Sequence, residues 1–350
     1  MIKDLQYAEL PKENYLLIDV RSESEYLEAT IPGAINVPIF NDEERAKVGT
    51  IYKHHGTKEA ENLGIEIVSP KIPSIIKQIN NSLNNGQLPI FFCWRGGMRS
   101  KTMATLFSLI NQEVYRLEGG YRAYREYILD QIANTQIKIP TFVLHGMTGV
   151  GKTSLLQKIE ASEIKVIDLE KLAGHRGSIF GGIGDINPVN QKQFDALVYE
   201  ELKGINNYQA LIIEAESKRI GKVFVSENIL KAKENGIHVM ITASLNKRIE
   251  RIVEEYQPQA NKAEIDDAVR RLAGRLPTET RGTLFTALEE SNYSKVVEIL
   301  LIYYYDPRYQ HSTEQYSGSF HKIASDDLAQ AVQELIAYIR TTLSKLSVHS

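Results

Sequence analysis

Short apolar runs alternate along this chain with longer stretches whose apolar positions recur every three or four residues. NYLLIDVR (14–21) is a run that ends in polar residues, the profile of a strand buried in a parallel sheet. Pro32-Gly33 marks a turn, and AINVPI after it reads as a second short strand. Ile72, Ile75, Ile76 and Ile79 fall on one face of a helix over 70–85. LPIFFC (88–93) is another buried strand, RSKTMATLFSLI a helix, and EVYRLEGGY a last strand and turn. Strands alternating with helices predict a small α/β domain over 1–131, with 132–140 as a linker.

The pattern restarts at TFVLH (141–145), a strand followed by GMTGVGKTS and a helix carrying Leu155, Leu156 and Ile159. IKVIDL, QALIIEAES and IHVMITAS supply further strands, so 141–245 reads as a second α/β domain with a parallel sheet. Beyond 246 the periodicity is helical, with Ile265, Val269, Leu272 and Leu276 on one stripe, and 246–350 is expected to pack on that second domain. No internal repeat and no low-complexity segment interrupts the order.

A chain of 350 residues is long for one core, which agrees with two domains. Its 43% hydrophobic and 24% charged content is that of a soluble globular protein. VVEILLIYYY is broken by Glu298 and too short to cross a bilayer, and the N-terminus lacks the pattern of a secretory signal. A single cysteine forms no internal disulfide and suits a reducing compartment, so a cytoplasmic location without membrane attachment is expected. The net charge of −3 advertises no global field for nucleic acid, so RNA would need a local patch. The segment 218–251, with eight Lys/Arg against three acids, is one candidate, or else a solvated helical face.

GMTGVGKT places Gly146, Met147, Thr148, Gly149, Val150, Gly151, Lys152 and Thr153 in the G-x-x-x-x-G-K-[ST] spacing between a strand and a helix. Its glycines let successive amides converge on a phosphate, Lys152 adds a point charge, and Thr153 could hold Mg²⁺. The usual partner is a second apolar strand ending in Asp, but ALIIEAES offers Glu214 and Glu216 instead. Asp168 and Glu170 are alternative acids, and each of the four could equally be a surface or capping carboxylate. Diphosphate binding is therefore expected, and triphosphate hydrolysis is not.

The only cysteine stands in CWRGGMRS, where Cys93 closes a strand and the turn leads into a helix. Amides of Trp94, Arg95, Gly96, Gly97, Met98 and Arg99, up to Ser100 in the helix, can surround an anion. Arg95 and Arg99 add positive charge, which favours the thiolate.

On these residues the first domain resembles a rhodanese. LLIDVRSESEYLEATIPGAINVPI is similar to that family's early signature and VYRLEGGYRAYREYI to its closing one. The C-x5-R spacing of Cys93 and Arg99 is one residue longer than in sulfurtransferases and matches a related group of phosphatases, though Phe92 stands where those carry histidine. With the phosphate loop, DLEKLAGHRGSIFGGIG, NQKQFDALVYEEL and YYYDPRY, the whole chain is similar to the tRNA 2-selenouridine synthase family. That resemblance implies a selenotransferase with geranyltransferase activity. Its substrates would be a tRNA anticodon loop bearing 2-thiouridine, geranyl diphosphate and selenophosphate. A selenophosphate supplier is an implied partner, no cofactor is tightly bound, and Mg²⁺ is at most held at Thr153. Whether Cys93 carries selenium covalently or positions the donor stays open. His175 and Arg176 would touch diphosphate or RNA, and Tyr303, Tyr304, Tyr305 and Tyr309 would stack on a base or pack in a core. The rivals are a phosphate-loop kinase or ATPase fused to a sulfurtransferase, with Arg248 and Arg251 as its arginine lid, a C-x5-R phosphatase, and a docking module without catalysis.

Overall fold

The computed structural model describes residues 2–110, 113–175, 188–313 and 320–348. The chain divides into two compact units, Met1–Asn134 with Asn190–Glu200, and Thr135–Val189 with Glu201–Ser350.

In the first unit β1 (Ile2–Leu5), β2 (Tyr15–Asp19), β3 (Ile35–Asn36), β4 (Leu88–Phe92) and β5 (Val114–Leu117) form one parallel sheet in the order β1-β5-β4-β2-β3. The apolar runs behave as their composition predicts, with Ile18, Ile90, Phe91 and Phe92 fully buried. Burying each such side chain stabilises the fold by about 2 kcal/mol. The edge strand β1 carries no long apolar run, because only its two ends are partly buried. Helices Asp42–His55 and Thr57–Val68 precede the expected Ile72–Ser82, whose Ile75 and Ile79 are buried. The early signature owes its Asp19 and Arg21 to a buried ion pair. Arg21 Nη2 lies 2.6 Å from Asp19 Oδ2, and its guanidinium stacks 4.3 Å above the ring of Tyr121. Segment 190–200 belongs to this unit through Arg125–Asp195 (2.9 Å) and Lys192–Glu28 (2.6 Å).

In the second unit β6 (Thr141–His145), β7 (Ile164–Ile167) and β8 (Ala210–Glu214) are followed by a small antiparallel pair, β9 (Arg219–Ile220) and β10 (Val223–Phe224). β11 (Ile237–Thr242) and β12 (His321–Ala324) complete a parallel five-stranded sheet ordered β12-β11-β6-β8-β7. The region after 246, expected to be helical, is so except for β12, which returns to the sheet edge. Only Ile323 of β12 is buried, so its pattern is too weak to read in sequence. The stripe Ile265, Val269, Leu272 and Leu276 is buried with Leu284, Leu288, Val296 and Leu300 in one helical core. Among the described residues, no helix is long and apolar enough to cross a membrane.

Candidate functional site

Cys93 follows β4 directly, and the helix Met98–Ser108 begins at the other end of its loop. The carbonyls of Cys93 and Trp94 accept hydrogen bonds from the amides of Tyr121 (2.8 Å) and Arg122 (2.9 Å). In a trans peptide the carbonyl and the next amide point opposite ways, so the amides of Trp94 and Arg95 face away from that contact. The first amides of Met98–Ser108 have no intrahelical acceptor and are free for an anion. Gly120 makes the arrangement possible. Its φ is +61°, and a Cβ there would lie 2.2 Å from the Cys93 carbonyl oxygen.

Cys93 is 3% exposed and packs in the core cluster with Ile18, Val20 and Phe91, while its Sγ lies 3.3 Å from Ser100 Oγ. Ser100 Oγ also donates to the Gly97 carbonyl. The expectation that Arg99 lends its charge to the thiol is corrected, because Arg99 Nη1 binds Glu25 Oε2 at 2.6 Å. A half-buried guanidinium takes the nearest carboxylate, here one that also caps its own helix from Ser22. Burial works against the Glu25 charge, but Arg99 outweighs it and holds the carboxyl below its usual range. Arg95 and Met98 are exposed, and Trp94 is flanked by the Tyr121 ring and the Lys192 ammonium. The S-x-x-E capping signal at Ser22 made Glu25 visible in sequence, though not its tie to Arg99.

The phosphate loop is held from behind. Arg248 Nε donates to the Thr148 carbonyl (2.8 Å), while Arg251 Nη1 (2.8 Å) and Ser325 Oγ (2.6 Å) donate to Val150. The amides of Gly149 and Gly151 are thereby turned to the opposite face, where an anion would sit. Gly149 sits at φ +80° with a Cβ position 2.8 Å from Ile252 Cδ1, so no larger residue fits there. Lys152 Nζ bridges the loop to the Gly146 carbonyl at 2.9 Å. Burial opposes its charge, yet Tyr309, Glu214, Glu216 and Glu170 outweigh that and hold the ammonium above its ordinary value. Met147 meets Arg248 Nη1 through its sulfur at 3.5 Å.

Arg248 and Arg251, read from the sequence as a lid or as ligand contacts, therefore grip the loop backbone itself. Arg248 Nη2 also binds Asp306 Oδ1 at 2.5 Å. The basic segment 218–251 is not a continuous patch, since Lys233 and Arg248 are buried and Lys231 and Lys247 pair with Glu227 and Glu250. Asp306 and Ser325 gave no signal in sequence, because each acts on a loop far away along the chain.

Of the four acids, Glu214 ends β8 beside β6, with its Oε1 3.3 Å from Thr153 Oγ1. Burial pushes its carboxyl up to about 8 against the pull of Lys152, and pushes Glu170 to about 9 with help from Glu214 and Glu216. Asp168 proves to be a cap, its Oδ1 accepting from the Lys171 amide at 2.8 Å. Glu216 is partly buried, and its backbone carbonyl accepts from Lys233 Nζ. Among the described residues no three His, Cys, Asp or Glu side chains form a metal cage. The Glu214 Oε2, buried without a partner among them, and Thr153 Oγ1 nevertheless suit a Mg²⁺ completed by diphosphate oxygens and water. His175 lies with its ring against Gly221, and burial lowers its pKa against the pull of Glu216. Arg176 lies outside the described residues. Tyr304 is buried and Tyr309 stands 5.6 Å from Lys152 Nζ, whereas Tyr303 is exposed.

A family model described as "tRNA 2-selenouridine synthase AAA domain" matches residues 139–343, and a "Rhodanese-like domain" model matches 4–127. A tRNA 2-selenouridine synthase of Hydrogenovibrio crunogenus is 31% identical, with 91% of this chain and 96% of that one covered. One from Pseudomonas syringae pv. syringae is 30% identical over 93% and 94%, and one from Sulfurovum sp. 29% identical over 86% and 90%. The solved N-terminal domain of a Clostridium difficile 630 protein is 40% identical over 36% of this chain and 98% of its own, with a TM-score of 0.35. The two loops thus lie on a rhodanese-like domain and on a phosphate-loop domain of the kind these relatives share, and the chain belongs to the tRNA 2-selenouridine synthase family.

Proposed function

We propose that the chain converts 2-thiouridine at a tRNA wobble position to 2-selenouridine in two steps. In the first, the thiocarbonyl sulfur bonds to C1 of geranyl diphosphate, the C1–O bond breaks, and diphosphate leaves with the electron pair while N3 releases its proton. In the second, selenium from selenophosphate bonds to C2, geranyl thiol leaves with the C2–S pair and a proton, and water cleaves the Se–P bond to give phosphate.

The observation that carries this reading is the phosphate loop. Its carbonyls are pinned away by Arg248, Arg251 and Ser325, its amides are turned to the other face, and Lys152 stands over it without a nucleophile beside it. Such a site suits stabilisation of departing diphosphate, an effect of about 3 kcal/mol by analogy with oxyanion sites. The Cys93 loop, with amides and a thiol at one place, suits the selenium donor. Mg²⁺ at Thr153 and Glu214 would add charge to the diphosphate site.

The test is to incubate the protein with thiolated tRNA, geranyl diphosphate and selenophosphate and to identify the nucleosides by mass. Lys152→Ala should block geranylation, and Cys93→Ser should spare geranylation and block selenium incorporation. Selenouridine formed by Cys93→Ser at the wild-type rate would sink the role given to that loop. The Thr153–Glu214 contact favours one second reading, a nucleoside-triphosphate-consuming enzyme, which predicts steady ATP or GTP turnover without tRNA.

A further inference from the structure

A cavity opens in the second unit beside the phosphate loop, about 530 Å³ of empty space with its mouth included. Its wall combines Ile252, Val253, Val269, Val297, Leu300 and Tyr305 with further apolar residues, and the residue it takes from the loop is Thr148. Close-packed cores leave few voids larger than a water molecule, and an apolar void costs stability in proportion to its volume. The cavity is continuous with the loop, because Ile252 packs directly on Gly149 and Arg248 from the same helix holds the Thr148 carbonyl. A π turn, Leu301–Tyr305, places Leu301 and Tyr305 on the wall and delivers Asp306 to Arg248. Such turns interrupt helices mostly at functional sites.

We infer that this cavity is the seat of a hydrocarbon tail whose diphosphate head lies in the loop 146–153. The ligand class is an allylic isoprenoid diphosphate, with the tail anchored among the helices and C1 left at the boundary between apolar wall and amide nest. The inference rests on the diphosphate reading of the loop given above. Apolar walls distinguish tails by the area they bury, so the cavity sets chain-length preference, while the loop sets the need for diphosphate.

The test uses the full-length protein and titration calorimetry with inorganic diphosphate, dimethylallyl diphosphate and geranyl diphosphate. Geranyl diphosphate should bind at least about tenfold more tightly than inorganic diphosphate and with a more negative heat-capacity change. Val297→Trp and Val253→Trp, which fill partly exposed parts of the wall, should abolish the gain and leave inorganic diphosphate binding unchanged. A diphosphate with a photoreactive tail, used on the wild-type protein, should label residues between 252 and 305, so the result does not depend on the variants folding. If inorganic diphosphate binds but the tail adds nothing, or the gain survives both substitutions, or labelling falls elsewhere, the cavity is not the tail site and the loop reading stands. If neither inorganic nor tailed diphosphate binds, the loop reading itself falls and this inference with it.

Discussion

Arg248 and Asp306, 58 residues apart, are joined through both terminal guanidinium nitrogens at 2.9 and 2.5 Å, while the remaining Nε holds the Thr148 carbonyl. One side chain thus ties the helix Leu245–Tyr256, the π turn and the phosphate loop together. Both partners are largely buried, so removing one leaves an uncompensated charge. Arg248→Ala should lower unfolding stability by about 3 kcal/mol, and Arg248→Lys should rescue only part of it, since an ammonium cannot span the three acceptors. Denaturant unfolding of both variants, with diphosphate titration, checks the expectation. A stable Arg248→Ala variant with unchanged diphosphate affinity would show that the pin is unimportant.

Gly120 should tolerate no side chain. Its φ is left-handed, and a Cβ added there would stand 2.2 Å from the Cys93 carbonyl oxygen, so Gly120→Ala must push the cysteine loop out of place. Selenium incorporation should fall at least about tenfold, whereas geranylation, carried by the other unit, should stay near wild type. Nucleoside analysis of each step separates the two effects.

Asp19 is fully buried and satisfies Arg21 and Thr30 together. Asp19→Asn keeps the shape but strands a buried guanidinium, and about 3 kcal/mol of first-unit stability should go with it. Replacing Arg21 by Met together with Asp19 by Leu should cost less than Asp19→Asn alone, because the stranded charge is then removed as well. Thermal unfolding of the two variants decides the order.

The acids near Lys152 give the protein a slope with pH. Glu170 and Glu214 titrate near 9 and 8 when folded, chiefly through burial, against about 4.3 when unfolded. A carboxyl raised by folding binds more protons in the native state, so its contribution is complete below the unfolded value and is lost as pH rises through the folded one. The melting temperature should therefore fall between about pH 5 and pH 9, and Glu170→Gln should flatten that fall. His145 works in the opposite direction. Burial, then His238, depress it to about 3, so its contribution is present above about pH 6.5 and lost as the solution turns acid. An unchanged alkaline slope in Glu170→Gln would show that the buried carboxyl is not its source.

Much of the architecture was legible in the chain. The apolar runs ending at Asp19, Phe92, His145 and Glu214 are strands of parallel sheets, and the glycine spacing of 146–153 and of 93–99 sits where a strand passes into a helix. Other parts left no local trace. β1 and β12 each bury too few residues to make a pattern, and segment 190–200, embedded in the sequence of the second domain, packs with the first unit. Arg248 and Arg251 lay on one helical face as a lid would require, but the same spacing serves arginines that bind backbone carbonyls of a neighbouring loop.

The sequence by itself determined where the backbone can bend and which runs must be buried. Those properties depend on residues a few positions apart, through φ limits, hydrogen-bond periodicity and the hydrophobic effect. Only the tertiary structure decided what each charged side chain does, because a charge takes the nearest partner in space. So Arg99 meets Glu25, Arg248 meets Asp306, Asp168 caps a helix while Glu214 faces Thr153, and a ring of apolar side chains from distant helices opens beside Thr148.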